Sequence, residues 1–327
     1  MQKHVVERLI LENSVSITNI EQLAKGYLLN CRAEGKSPKT LAIYEMVLKN
    51  FLWYWHQNGF PVQPQEISPI QVRQFLWYLS SETNRWGTGN PRTKKVASQA
   101  TALGYYRTLK TFFAWLELEQ LIEKNPLVNL KPPKAEKKVI QALSPIEVER
   151  ILGICSGKTN LDVRNKAILS ILLDTGLRVS ELASLTLNDV NMNDGSIIVR
   201  HGKGSKQRVV HIGTKAQKAL WKYMTIYRKS ESNSLLVNRA GEPLDAVGIK
   251  ILVRRLGEKA KISVHPHKLR HTFAISFLRA GGDVFSLQYL LGHSTLQMTQ
   301  RYLQSLNADD AINAHRKFSP LDNLGIK

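Results

Sequence analysis

The chain has 327 residues, enough for two domains that each bury a core of their own. It carries 46 Lys and Arg residues against 26 Asp and Glu, a formal net charge of +20, and 43% of its residues are hydrophobic. This balance excludes a charged disordered tail, and no apolar run reaches membrane-spanning length, so no membrane partner is expected.

The positive charge is spread along the whole chain. The excess is about +8 over residues 1–140 and about +12 over the remainder. A polyanion contacted by both halves would explain this distribution, and nucleic acid is the first candidate. A basic surface that only keeps the protein soluble is the alternative.

Cysteine content and the N-terminal sequence indicate the cellular compartment. Cys31 and Cys155 lie far apart and lack metal-ligand spacing, so neither a disulfide framework nor a zinc ribbon is expected. The first residues, MQKHVVERLILENSVS, contain no long apolar core and no small-residue cleavage site. These features predict a cytoplasmic protein with reduced thiols.

Residues 1–132 are predicted to form a helical domain. Apolar residues recur at helical spacing in the segments NIEQLAKGYLLNCRAEG, SPKTLAIYEMVLKNFLWYWHQNG, SPIQVRQFLWYLSSE and ALGYYRTLKTFFAWLELEQLI. Every formal charge between Glu82 and Glu117 is positive, as expected for a helix that enters a DNA groove, although such runs also occur on solvated faces. The candidate DNA contacts in this run are Arg92, Lys94, Lys95, Arg107 and Lys110.

The proline- and lysine-rich stretch NLKPPKAEKKVIQALSP predicts a linker at 133–142 and a second domain at 143–327. Ser144 and Glu147 have the spacing of a capping box at a helix start. The segment VRNKAILSILLDTGLRVSELASL predicts a buried helix that ends at Gly176, followed by a short helix. The period then changes to two, and SIIVR, the turn HGKGSK and QRVVHI predict a β-hairpin before helical patterning returns.

The segment HPHKLRHTF, residues 265–273, holds three histidines and two cations. His267 and His271 have i,i+4 spacing, but the segment has no acidic residue or Cys and its cations would repel a divalent metal. No G-x-S-x-G elbow supports a serine hydrolase, and histidines that only pack near a helix start are the remaining alternative. His267 and Arg270 share a helix face and can converge on one tetrahedral anion, which favours a phosphate site.

Two other segments supply groups suited to the same phosphate. Arg178 follows a helix-ending glycine in DTGLRVSEL, in an apolar context that is unusual for a solvated charge. It offers a second guanidinium for the two non-bridging oxygens of a phosphodiester. The segment LLGHSTLQMTQRYL adds His293 directly after a glycine and Tyr302 nine residues later.

Five motifs, TGLRVSEL, HGKGSK, HKLRHTF, LLGHS and TQRYL, occur in this order, and the resemblance that they carry covers residues 144–302. In order and spacing they resemble the tyrosine recombinase, or phage integrase, family. The resemblance implies a mainly α protein with a small β-hairpin or sheet. An N-terminal helical, SAM-like core-binding domain would precede an α+β catalytic domain with a C-terminal tail.

The resemblance implies that Tyr302 attacks a DNA phosphodiester, forming a 3′-phosphotyrosyl link and releasing a 5′-hydroxyl, without metal, cofactor or ATP. A phenol is only about 0.1% ionised at neutral pH, so it needs activation. Arg178, Arg270 and His293 would stabilise the charge on the phosphorane oxygens. Lys203, in the hairpin turn, would protonate the leaving 5′-oxygen.

The other basic residues of these motifs have less defined roles. His267 would accept the phenolic proton or bind the phosphate, and the residue types leave this choice open. Lys206 and Arg208 of the hairpin are further candidate DNA contacts. His265 and His271 are interpreted as packing residues.

The resemblance also implies partners and a biological role. Double-stranded DNA would be bound by a homotetramer on two recombination sites, with a possible accessory directionality factor. The basic segment SSETNRWGTGNPRTKKVASQ and the tail HRKFSPLDNL favour integration or excision of a mobile element. The alternatives are Xer-like resolution of chromosome or plasmid dimers, a topoisomerase with the same chemistry, and a DNA-binding factor without catalysis.

Overall fold

The computed structural model describes residues 19–87, 93–134, 141–157, 159–200, 207–319, 321 and 324. The chain divides into two units, Met1–Lys137 and Lys138–Lys327, each with its own hydrophobic core. The fold is mainly helical with one small antiparallel sheet, which confirms the predicted fold class. Within the described part, no helix combines the length and apolarity needed to cross a membrane.

The described residues of the first unit form four α-helices, which begin and end close to the predicted positions. They are α1 (Ile20–Ala33), α2 (Pro38–Gln57), α3 (Pro69–Ser81) and α4 (Gln99–Leu118), with 3-10 turns at Pro64–Glu66 and Arg85–Gly87. Ser37, Ser68 and Ser98 precede three of the helices, and each hydroxyl accepts a backbone N–H of the first turn. The caps explain why these helices start where they do.

Aromatic side chains fill the core of the first unit. Phe51, Phe75 and Phe112 are fully buried and contact other rings edge-on or at a tilt. Along α4 the buried residues recur every three or four positions, so that the rings of this helix face the core. Arg107 and Lys110 therefore lie on the exposed face of the same helix.

The part of the second unit that the structure describes contains further helices and three short strands. In chain order these are α5 (Pro145–Gly153), α6 (Asn160–Thr175), α7 (Val179–Ala183), the 3-10 turn Leu187–Asp189, β1 (Val190–Asn191), β2 (Ser196–Val199), β3 (Arg208–His211), α8 (Thr214–Lys222), the π turn Tyr223–Tyr227, α9 (Ala246–Ala260), α10 (Pro266–Arg279), α11 (Val284–Leu291), α12 (Leu296–Leu303) and α13 (Ala308–Lys317). The Ser144 capping box predicted for the start of α5 is present.

The sheet has the strand order β1-β2-β3, and both pairs are antiparallel. Ile197 pairs with Val210, and Val199 pairs with Arg208, so these four side chains face the core. The predicted hairpin is confirmed by this pairing. Its turn, 201–206, lies outside the described residues.

The turn between α6 and α7 depends on one glycine. Gly176 adopts a left-handed conformation (φ 60°), and its N–H donates to the carbonyl of Leu172. A Cβ atom at this position would lie 2.4 Å from Cδ1 of Phe273 and 2.9 Å from Cδ2 of Leu291. The turn therefore packs directly on α10 and α11, which places Arg178 next to both helices.

We expect Gly176→Ala to lower the free energy of unfolding by about 2–4 kcal/mol, because it combines a left-handed backbone with overpacking. Urea denaturation of the purified variant measures this. Gly153→Ala is the matched control, since a Cβ there has nothing within 4 Å and its backbone is not left-handed. Equal stability of the two variants would show that the turn can repack around a methyl group.

Candidate active site

The second unit brings predicted catalytic side chains from separate elements together. Arg178 is the N-cap residue of α7, and His267 and Arg270 lie in the first turns of α10. His293 follows the glycine that ends α11, and Tyr302 lies in the last turn of α12. Arg178, His267 and Arg270 line one pocket of about 490 Å³.

Arg270 is the most deeply fixed cation of the site. It is 4% exposed, and its guanidinium donates to the carbonyl of Gly176 at 2.6 Å and to that of Leu291 at 2.7 Å. Burial, and next the charge of Arg178, lower the pKa of Arg270 to about 10, so it stays protonated at neutral pH. The ends of α6 and α11 thus determine where this charge lies.

Arg178 and Arg208 share one buried carboxylate. The Arg178 guanidinium donates to Glu181 at 2.8 Å and to the carbonyl of Gly292 at 3.3 Å. Arg208 donates to both Glu181 oxygens, at 3.0 and 2.8 Å, and to the carbonyl of Leu290 at 2.8 Å. Burial alone would raise the pKa of Glu181, but the hydrogen bonds from Arg208 and Arg178 outweigh it and hold the pKa below its ordinary value.

This geometry corrects the predicted DNA contact of Arg208. Its side chain is 4% exposed, and all three of its nitrogen atoms donate to groups inside the protein, so it is too buried to bind a phosphate at the surface. Gly292 permits the close approach, because a Cβ there would lie 2.9 Å from an Arg208 nitrogen. Arg208 instead connects β3 to α7 and to the end of α11.

His293 has both ring nitrogens engaged. Arg270 can only donate, so the His293 Nε2 atom 3.0 Å away accepts its hydrogen bond. Nδ1 then carries the hydrogen and donates to the Thr299 hydroxyl at 2.9 Å. Burial, and then the charges of Arg270 and Arg178, lower the pKa of His293 to about 4, so the ring is neutral at pH 7. Its ring stacks parallel to that of Tyr302.

Tyr302 lies inside the unit with its hydroxyl next to a histidine. It is 4% exposed, and its oxygen is 3.1 Å from Nδ1 of His271. Burial raises the pKa of Tyr302, and Arg270 opposes this rise through its charge and a hydrogen bond. The contact with His271 was missed by sequence reasoning, because nothing in the local pattern of α10 indicates which residue α12 places against it.

The pocket is lined by basic residues, some predicted and some not. The predicted His267 lines it, and burial together with the charge of Arg270 lowers the pKa of His267. Lys250 and Arg254 of α9 also line it, four residues apart on the exposed face of the helix. Sequence reasoning missed both, because cations at this spacing also occur on solvated helices. In the described ranges, no three His, Cys, Asp or Glu side chains are grouped as a metal would require.

The remaining predicted DNA contacts fall into two groups. The exposed ones are Lys94, Lys95, Arg107 and Lys110 of the first unit. Arg92 and Lys206 lie outside the described residues, and so does Lys203, the predicted general acid.

The comparisons with known proteins agree with this architecture. Residues 141–308 match the model of the phage integrase family, and the chain belongs to this family of tyrosine recombinases, enzymes that cut and rejoin DNA strands. Tyrosine recombinase XerC of Oceanobacillus iheyensis is 38% identical over 299 residues, 89% of this chain and 93% of that protein. XerD of the same organism is 33% identical over 276 residues, 82% of this chain and 88% of that protein.

A solved structure shares the fold. The Tn1549 transposon integrase, in complex with a circular intermediate DNA, is similar with a TM-score of 0.72 at 20% identity. The similarity covers 92% of this chain and 100% of that one.

We expect Arg208→Met to lower the free energy of unfolding by about 3–5 kcal/mol, because it leaves the buried Glu181 with one of its two cations. Urea denaturation at pH 7 measures this. Arg254→Met is the control, since Arg254 is 67% exposed, pairs with Glu258 at 3.5 Å and should contribute less than about 1 kcal/mol. Unchanged stability with weakened DNA binding would return Arg208 to the DNA-contacting set.

Proposed function

We propose that the protein is a site-specific recombinase that cuts DNA with Tyr302 and holds the scissile phosphate with Arg178 and Arg270. The observation that carries this proposal is the convergence of two guanidinium groups and His267 on one pocket, with Tyr302 adjoining Arg270. Permanently charged, planar guanidinium groups suit the two non-bridging oxygens of a phosphodiester. Among the described residues, no acidic side chain lines the pocket to repel the phosphodiester.

The two arginines are fixed before DNA binds. Arg270 is anchored by backbone carbonyls and Arg178 by Glu181, which leaves each guanidinium with further N–H groups for a ligand. Donors that are already oriented lower the barrier because no reorganisation is needed when charge develops on the phosphorane. His293 contacts Arg270 through Nε2 and Thr299 through Nδ1, and would help to hold the Arg270 guanidinium in place.

Lys203 is the proposed general acid for the leaving 5′-oxygen. Arg208, five residues later, is tied to Glu181, and Glu181 also binds Arg178. This connection joins β3, which begins five residues after Lys203, to the helix that begins next to Arg178, and so supports a role for Lys203 in the same reaction. His267 fits the role of phosphate ligand, since it lines the same pocket as the two arginines.

DNA binding by the first unit is proposed for the exposed face of α4. Arg107 and Lys110 lie there with Gly104, and a Cβ at Gly104 would contact nothing. A helix face with small residues between cations can approach a DNA groove closely. Lys94 and Lys95 precede this helix and would add phosphate contacts. In the second unit, Lys206 is proposed to do the same.

The biological role is a finer part of the proposal. Similarity to XerC and XerD over more than four fifths of the chain supports resolution of chromosome or plasmid dimers. Integration or excision of a mobile element, the role predicted from the sequence, is the second candidate, favoured by the basic segment between α3 and α4. A homotetramer on two sites, a cytoplasmic location and an accessory directionality factor belong to the same proposal.

A plasmid assay tests the function. The full chain selects its site from a randomised duplex pool, and two direct repeats of that site are placed in a supercoiled plasmid. Two resolved circles support recombination, relaxation alone would indicate a topoisomerase, and binding alone a non-catalytic factor. A selected site that flanks the gene in the genome favours the mobile-element role, and one elsewhere in the chromosome favours dimer resolution.

We expect Tyr302→Phe to abolish the covalent protein–DNA adduct on a nicked suicide substrate while DNA affinity is unchanged, because only the nucleophilic oxygen is removed. Denaturing gel electrophoresis detects the adduct. Tyr289→Phe, at a side chain that is 58% exposed, is the matched control and should form adduct normally. Adduct with Tyr302→Phe and none with Tyr289→Phe would assign the nucleophile to Tyr289.

We expect Lys203→Ala to cleave normal DNA about a hundredfold more slowly, in line with the loss of a general acid. On a 5′-bridging phosphorothiolate it should recover most of this rate, because a thiolate leaves without protonation. Arg178→Ala should not recover, since its charge stabilises the phosphorane whichever group leaves. Single-turnover cleavage measures both, and equal failure of the two variants on the sulfur substrate would contradict the assignment of Lys203.

A further inference from the structure

His271 and Tyr302 form a hydrogen bond between α10 and α12. Nδ1 of His271 is 3.1 Å from the phenolic oxygen, and the two ring centroids are 5.5 Å apart. Arg270 also forms a hydrogen bond with this oxygen, and a guanidinium group can only be the donor. The phenol therefore keeps its own hydrogen for an acceptor, and the Nδ1 atom of His271 faces it. Acceptance requires the tautomer of His271 with its hydrogen on Nε2.

The other bases of the site are less suited to take this proton. His293 has one nitrogen engaged with Arg270 and the other with Thr299. Both carboxylate oxygens of Glu181 accept from arginines. His267 lines the phosphate pocket together with Arg178 and Arg270, and Tyr302 is not among the residues that line this pocket.

We propose that His271 is the catalytic proton acceptor of the nucleophile, an assignment that rests on the proposed role of Tyr302. The phenolic O–H bond breaks, and its proton moves to Nδ1 of His271. The phenolic oxygen forms a bond to phosphorus, and the bond from phosphorus to the 5′-oxygen breaks. The 5′-oxygen leaves with the electron pair and receives a proton from the general acid. In the rejoining step the imidazolium returns its proton to the departing phenolate.

The charges around His271 make this proton transfer dependent on DNA. Burial, and then His267, His265, Arg270 and Arg301, lower the pKa of His271 to about 4. The ring is therefore neutral at pH 7 and its lone pair is available, but the imidazolium is disfavoured while the site holds only cations. A bound phosphodiester supplies negative charge next to Arg270, and the phosphorane supplies more. Proton acceptance thus becomes favourable as the transition state forms.

The test separates a base from a residue that only positions the phenol. His271→Asn keeps an acceptor oxygen near the Nδ1 position but cannot take up a proton. Single-turnover cleavage is measured at saturating protein on a nicked duplex that carries the selected site. The loss of a general base should slow it about a hundredfold. The same variant is then made with 2,3,5-trifluorotyrosine at position 302 by site-specific incorporation. This more acidic phenol needs less help from a base, so the defect should shrink to about tenfold or less.

His211→Asn, on the exposed face of β3, is the matched control and should cleave at the normal rate with either tyrosine. Unfolding and DNA affinity are measured for each variant, so that a folding defect is recognised. A normal rate for His271→Asn overturns the proposal, and so does an equal loss with both tyrosines, which would make His271 a packing residue. Adduct formation by Tyr302→Phe would instead overturn the assignment of the nucleophile.

Discussion

The site depends on one buried carboxylate that is shared by two arginines. Three positive charges lie in this region, on Arg178, Arg208 and Arg270, and Glu181 supplies one negative charge. The neighbouring histidines His271 and His293 are neutral. Within this group of four charged side chains, the balance leaves two positive charges, and Lys250 and Arg254 add to them at the rim of the pocket. A phosphodiester carries a single negative charge, whereas the phosphorane formed from it carries two. In the proposed reaction, the positive charge of the group would therefore stabilise the transition state more than the bound substrate, which is the condition for catalysis.

The fold could be predicted largely from local sequence, because four helices start at serine caps, two end at left-handed glycines, and the strands of the hairpin have a period of two. The burial of Arg208 could also have been inferred. Alternation in β3 puts it on the same face as Val210 and leaves Val209 and His211 outside, so an arginine at that position needs an internal partner. The charge of Arg208 suggested a DNA contact, whereas its position in β3 indicated a buried side chain.

Other parts of the site could not be obtained from local patterns. His271 and Tyr302 are 31 residues apart, and their contact exists only because α10 packs against α12. Spacing within HPHKLRHTF distinguishes helix faces but not the element that each face meets. The cations Lys250 and Arg254 have a spacing that is common on solvated helices. Only their position beside the pocket indicates that they belong to the candidate site.

The carbonyl partners of the buried arginines have an electrostatic consequence. Arg270 donates to Gly176 and Leu291, and Arg178 and Arg208 donate to other carbonyls at the end of α11. These are the negative ends of helix dipoles, each equivalent to about half a charge spread over several oxygens. They replace the water that the guanidinium groups lose on burial, yet they add no net charge. More carboxylates would have anchored the arginines equally well, but they would have cancelled the positive field on which the proposed phosphate binding depends.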